Sequence, residues 1–165
     1  MRRLPQILLL GFASVALAAP VSGQRADDQI SPRSIELQRQ GQGLLGAGKL
    51  DQAQDVLETA LAVDPRNRKA FVDLARVAEK QHLYGKAIRM TNKALLLEPN
   101  DLDAIAVQGE AMVELGAVAR AQANLQKLQQ LCRSACPQAT QLSTAISRGP
   151  TVAAATKPPE TPKSN

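Results

Sequence analysis

Pro65 and Pro99 stand thirty-four residues apart, and the residues leading into each of them match. Ala53, Ala60 and Pro65 recur as Ala87, Ala94 and Pro99. A repeat at this period is the mark of stacked helical hairpins, in which each unit buries its apolar face only against its neighbours. This architecture favours extended binding surfaces over enclosed catalytic clefts.

The helices can be read without reference to any relative. Ser31-Pro32 places a capping residue before a proline at the first helical position, and Ile35, Leu37, Leu44 and Leu45 follow as an apolar face. Gly46-Ala-Gly48 breaks that helix. Ala53, Val56, Leu57, Ala60, Leu61 and Val63 then recur at spacings of three and four, which predicts a second helix. Asp64-Pro65-Arg66-Asn67 ends it and caps the next. The pattern continues through Phe71, Leu74, Ala75 and Ala78, and after a break at Tyr84-Gly85 through Ala87, Ile88, Met90, Ala94 and Leu95. Asn100-Asp101 caps a helix bearing Ile105, Ala106, Met112 and Val113, and Gly116 precedes a helix bearing Val118, Ala121, Leu125 and Leu128. Leu50, Tyr84 and Val118 open the three second helices. Small residues fall where paired helices would cross, because a large side chain there would hold the backbones apart. A last helix is predicted over Pro137–Ser147, with Ala139, Leu142, Ala145 and Ile146 on one face. It is read as a cap for the open end of the array; half of a fourth unit is the alternative.

In this register the chain resembles the tetratricopeptide repeat family, specifically an exported bacterial member with three repeats. The family's signature positions are filled by Gly41, Ala53, Ala60 and Pro65 in a unit over residues 34–67. Ala75, Ala87, Ala94 and Pro99 fill them over 68–101, and Gly109 and Ala121 over 102–135. The third unit departs from the pattern, with Leu128 in place of Ala and Arg133 in place of Pro. The resemblance implies an all-α, α-α superhelix (a solenoid) of three helix-turn-helix units closed by a capping helix over about 137–147. The repeat domain as a whole is expected over 32–148.

The ends of the chain are of different character. Met1-Arg2-Arg3, an apolar run from Ile7 to Ala19 and small residues after it form the three-part pattern of a secretory signal peptide over 1–23, with cleavage near Ala18 or Gly23. The apolar run is shorter than a spanning helix needs, so an uncleaved inner-membrane anchor is the minor alternative. Residues 24–31 are expected as a flexible lead-in. Residues 149–165, with Pro150, Pro158, Pro159 and Pro162 and few apolar anchors, are expected to be a disordered tail. The periplasm, or secretion, is the expected location.

Composition narrows the function. The formal charge is +5, and loss of Arg2 and Arg3 leaves +3, a modest excess that reads as a solvated surface. Past the signal only Phe71 and Tyr84 are aromatic, both at core positions, which leaves nothing to stack on bases. Nucleic acid is therefore not an expected partner. Cys132 and Cys136 lie in the exported part of the chain, where paired cysteines persist as disulfides, and a bond there would staple the last helix to the array. A redox pair or a metal site is the weaker reading, since active dithiols favour two intervening residues and the only histidine, His82, is fifty positions away. His82 takes the turn position of Gly48 and Gly116 and is expected to be exposed, with left-handed backbone. Neither a phosphate loop nor a nucleophile elbow is found, and no cofactor is expected. Asp73, Glu79, Glu110 and Glu114 read as exposed helix faces.

The resemblance implies that the first helix of each unit lines the concave side. The groove residues would then be Gln38, Arg39 and Gln42 (with Ile35, Leu45 and Gly46); Lys69, Val72, Asp73, Arg76 and Glu79 (with Lys80); and Asp103, Ala106, Glu110 and Val113 (with Val107 and Glu114). The family's clamp for chaperone carboxylate tails requires basic and amide groups where Gln38, Gln42, Asp73, Asp103 and Ala106 stand, so that ligand is disfavoured. The expected function is a non-enzymatic, exported scaffold holding a protein or peptide. Stable membrane insertion after cleavage is not expected, and self-association is a further option. The competing classes are a structural or oligomerisation subunit of an envelope or secretion assembly and, more remotely, a thiol-disulfide redox protein.

Overall fold

The computed structural model describes residues 29–132 and 136–151. The signal pattern, most of the tail and the link between the two cysteines lie outside them. Seven helices run in order: α1 (Pro32–Gly46), α2 (Leu50–Val63), α3 (Arg68–Lys80), α4 (Tyr84–Leu97), α5 (Leu102–Glu114), α6 (Val118–Leu131) and α7 (Pro137–Arg148). No strand occurs among the described residues. The hairpins α1–α2, α3–α4 and α5–α6 are the three expected units. The first helices also pack on one another, α1 on α3, α3 on α5 and α5 on α7, and so form the inner layer of the array.

The small residues act as the spacing suggested. A Cβ added to Gly41 would lie 2.5 Å from Leu57 Cγ, and one added to Gly109 would lie 2.6 Å from Leu142 Cδ2. Ala53, Ala75, Ala87 and Ala121 are fully buried. Leu57, Leu128 and Leu142 fill the space that these short side chains leave and are themselves fully buried, each contributing about 1.5–3 kcal/mol of transfer free energy. The core follows the array as successive clusters, one per interface, the last of which holds Ile105, Met112, Val113, Leu128 and Leu142.

The junctions between units are tied by side chains. Asn67 accepts from the Ala70 N–H to cap α3 and donates to the Ser34 hydroxyl (2.8 Å) and carbonyl (3.2 Å) of α1. Asp101, one repeat later, caps α5 at Ala104 N and forms an ion pair with Arg68 of α3. The same two register positions thus carry a neutral pair at the first junction and a charged pair at the second. Ser31 marks the start of α1 but gives no side-chain cap. Its N–H donates instead to Asp64 (2.9 Å), while Arg66 reaches the Gln29 carbonyl (3.1 Å). Residues 29–31, expected as the end of a flexible lead-in, are therefore held against the α2–α3 turn. The Arg66 hydrogen bond and then the Ser31 N–H keep the Asp64 carboxyl well below the usual range.

Gly48, His82 and Gly116 have φ of 72°, 59° and 74°, the shared left-handed turn between the helices of each unit. His82 is exposed there, as expected, with Nδ1 2.9 Å from the Tyr84 hydroxyl. The α7 helix takes the place that a fourth unit's first helix would occupy. Leu142 and Ala145 face inward and are buried, while Thr140, Gln141, Ser143, Thr144 and Ser147 are exposed. That polar outer face supports the reading of α7 as a cap. No helix among the described residues is long and apolar enough to cross a membrane.

Gly41→Ala is expected to destabilise the fold by about 1–3 kcal/mol, because Leu57 must yield or α1 must move away from α2. Gly43→Ala, on the same helix with nothing within 4 Å of its added Cβ, is expected to be stabilising by about 0.5–1 kcal/mol. Urea unfolding of the two variants checks both signs.

Candidate functional site

The inner layer brings together most of the residues assigned to the groove. A pocket of about 250 Å³ is lined by Gln38, Arg39 and Gln42 of α1, Lys69, Val72, Asp73 and Arg76 of α3, and Asp103 of α5. Arg68 and Asp101, which the sequence reading left out of the groove, complete its wall. A wider hollow at the rim shares Gln38, Arg39, Arg68 and Lys69 and adds the apolar side chains of Ile30, Ile35 and Leu97.

The floor of the pocket is a buried carboxylate. Asp73 is 2% exposed, which corrects its expected place on an open helix face. Gln38 Nε2 donates to its Oδ2 at 2.5 Å and Arg76 Nη1 to its Oδ1 at 3.1 Å. Burial raises the Asp73 pKa, and Gln38 and Arg76 oppose that rise. A buried carboxylate persists when hydrogen-bonded and paired in this way. Arg76 also reaches Asp103 at 3.4 Å and so joins α3 to α5. Arg39 and Lys69 are exposed at the mouth of the pocket, beside cations that already serve internal carboxylates.

The other end of the face is acidic. Glu79, Glu110 and Glu114 are half-buried rather than open to solvent, a second correction to the expected exposed faces. They lie near enough to perturb one another. Burial, and next the Glu110 charge, push the Glu79 carboxyl up to about 8, with Arg76 opposing and Glu114 adding to the rise. Burial also raises Glu110, opposed by a hydrogen bond from Gln141 of α7 and by the Arg76 and Arg148 charges. Glu110 Oε1 is buried without a hydrogen-bond partner. Ala106 and Val113, assigned to the groove, are instead buried in the last core cluster and offer it no surface. Among the described residues no cluster has the composition of a metal site.

Cys132 ends α6 and Cys136 precedes α7, with Cα atoms 5.8 Å apart, inside the range that a disulfide spans. The pair stands at the junction that lacks both the proline and the capping side chain of the other two.

A raised carboxyl pKa means that the folded state holds a proton the unfolded chain has lost. Stability is therefore drawn down as pH rises from about 4.5 through about 8. Glu79→Gln is expected to change the melting temperature little at pH 5 and to raise it by about 2–4 °C at pH 9. Thermal melts across that range test the sign.

The tetratricopeptide repeat family model matches residues 44–109. No curated protein matches the chain significantly. Among solved structures, the first TPR of Spaghetti (RPAP3) bound to the HSP90 peptide SRMEEVD is 22% identical. It covers 70% of this chain and 91% of its own, with a TM-score of 0.64. The TPR2B domain of yeast Sti1 in complex with pHsp70 is 19% identical, covering 72% and 98%, at 0.65. PcrH in complex with the chaperone binding region of PopD is 19% identical, covering 69% and 86%, at 0.60. These likenesses are of fold. The matched span runs from α1 through α4 into α5, and the same hairpin geometry recurs across all three units, so the fold is that of tetratricopeptide repeat domains.

Proposed function

We propose that this chain is an exported, non-enzymatic scaffold that holds a protein or peptide segment along its concave face. The observation that carries the proposal is the layout of that face. One continuous inner layer presents a pocket with exposed Arg39 and Lys69 at one end and the Glu79–Glu110–Glu114 group at the other. A partner with an acidic residue toward its first contact and a basic residue toward its last would satisfy both ends. Solved relatives of the same fold carry peptides or partner segments, as their HSP90-peptide and PopD complexes state. An acidic chaperone tail suits this chain poorly. Gln38 and Ala106 are uncharged where the resemblance implies basic groups, and Asp73 and Asp103 are acidic where it implies an amide and a basic group.

Export rests on the signal pattern of residues 1–23 and on the cysteine pair. In an oxidising compartment a Cys132–Cys136 bond would fasten α7 where the third junction lacks its usual tie. Its short loop puts the stabilisation at the low end, about 2 kcal/mol. Thiol titration of protein isolated under non-reducing conditions is expected to find no reactive thiol before reductant and two after it, from the chain's two cysteines. Two thiols in the untreated material would sink the bond.

The scaffold reading predicts that a partner copurifies with the full chain from its native host. Arg39→Glu combined with Glu110→Lys is expected to weaken that capture by about tenfold or more, through like-charge contacts at both ends. Arg39 has solvent around it, and circular dichroism verifies that the variant is folded. An unchanged set of partners after both reversals counts against the concave face.

A further inference from the structure

The outer layer, made of α2, α4 and α6, segregates its charges by helix. The α2 helix carries three carboxylates, Asp51, Asp55 and Glu58, and no basic residue. The α4 helix carries Lys86, Arg89 and Lys93 and no acidic residue, and α6 adds Arg120 and Lys127, again without an acid. Spacings of three and four residues put each α2 and α4 set on one side of its helix. That side is opposite the buried stripes Ala53–Leu57–Ala60 and Ala87–Thr91–Ala94. The three carboxylates, Arg89 and Lys93 are exposed. Among the described residues none of the α2 and α4 charges forms an ion pair. Where they hydrogen-bond, the partner is neutral: Gln81 donates to Asp51 (3.3 Å) and Lys86 donates to Gln54 (2.8 Å). Surfaces ordinarily intersperse the two signs, and a one-sign face steers or docks a partner. The two faces also match in height. Asp51 precedes Lys86 by 35 residues, Asp55 precedes Arg89 by 34 and Glu58 precedes Lys93 by 35, each within one residue of the repeat period. Ala62 and Leu96 are also thirty-four apart, and Leu96, on the same side of α4 as Arg89 and Lys93, is 83% exposed.

We propose that two copies of this chain pair back to back through these outer faces, α2 of each against α4 of the other. A two-fold axis parallel to the helices and midway between α2 and α4 produces this contact, with the same surface used by both copies. Each of the two is the second helix of its hairpin, so they run in the same direction. The repeat register then sets Asp55 opposite Arg89, Glu58 opposite Lys93 and Ala62 opposite Leu96, twice each. A two-fold axis perpendicular to the helices would set α2 on α2 and α4 on α4, and like charges there disfavour it. The charge pattern thus selects the axis. An anionic surface would suit α4 and α6 but repel α2 beside them, whereas a second copy satisfies both signs. The contact is small, because two convex faces meet over about two helices each, which places it among the transient interfaces under about 1,200 Å². Both concave faces stay open and point away from each other.

Sedimentation velocity of the full chain tests the pairing. A concentration series up to about 1 mM at low salt is expected to show monomer and dimer in exchange. Raising the salt to about 0.5 M should weaken the dimer by about tenfold or more, because exposed pairs are screened. Two reversal variants test the arrangement, Asp55→Arg with Glu58→Lys, and Arg89→Glu with Lys93→Glu. All four positions are exposed, and circular dichroism verifies that both variants fold. Each variant alone should be monomeric. Mixed, they should recover a one-to-one dimer, since α2 of the first then suits α4 of the second, and α4 of the first suits α2 of the second. A wild-type chain that stays monomeric through the series overturns the proposal. So does a dimer insensitive to both reversals, or one that the mixture fails to restore. Binding of a monomeric chain to phosphatidylglycerol vesicles would assign the basic helices to an anionic surface and equally overturn the dimer. None of the substituted residues lies on the concave face, so partner capture there and pairing here can fail independently.

Discussion

The stacking of this array depends on what happens at each junction between units. A helical hairpin with one apolar face finds many orientations on its neighbour, and hydrophobic burial alone does not choose among them. Here a side chain at the end of one unit performs two tasks. Asn67 caps the helix that follows and also holds the helix that came before, through Ser34. Asp101 repeats the arrangement with Arg68 in charged form. Each tie fixes the angle between successive first helices, and the concave face is the sum of those angles. At the third junction this device is missing, and a cysteine pair stands in its place.

Much of this was legible in the sequence. The period set the helices, and the short side chains at Gly41, Ala53, Ala87 and Gly109 marked the crossings because close approach permits nothing larger. The groove positions around Gln38, Arg39, Lys69 and Arg76 also came together as expected. The errors share one cause. A helical pattern shows which way a residue points, but not that two neighbouring helices form a crease deep enough to bury a polar group. Asp73 looked like a surface acid and proved to be the pocket floor, and Glu79 and Glu110 sit half-buried where α3, α5 and α7 converge. Ala106 and Val113 failed in the opposite direction, being turned into the core. The missed pair, Arg68 and Asp101, was visible in principle: residues thirty-three apart meet across a junction, as Ser34 and Asn67 also do.

Arg76 connects the two ends of the face. Its guanidinium neutralises Asp73, reaches Asp103 and tempers the carboxyls of Glu79 and Glu110. A ligand that drew Arg76 toward itself would leave a buried carboxylate unpaired, a costly state. The pocket and the acidic end are therefore not independent, and occupation of one changes the charge balance at the other.

The polar outer surface of α7 has a further consequence. With Thr140, Ser143, Thr144 and Ser147 exposed, the outer face of α7 offers a polar surface rather than an apolar one for a further repeat to pack upon, so the described array works as a ruler of fixed length. Four inner helices at a spacing of about 8–10 Å give a face of about 30 Å, which an extended segment crosses in about nine residues. Whatever lies along it is measured against that span, and a longer partner must leave the groove at one of its ends.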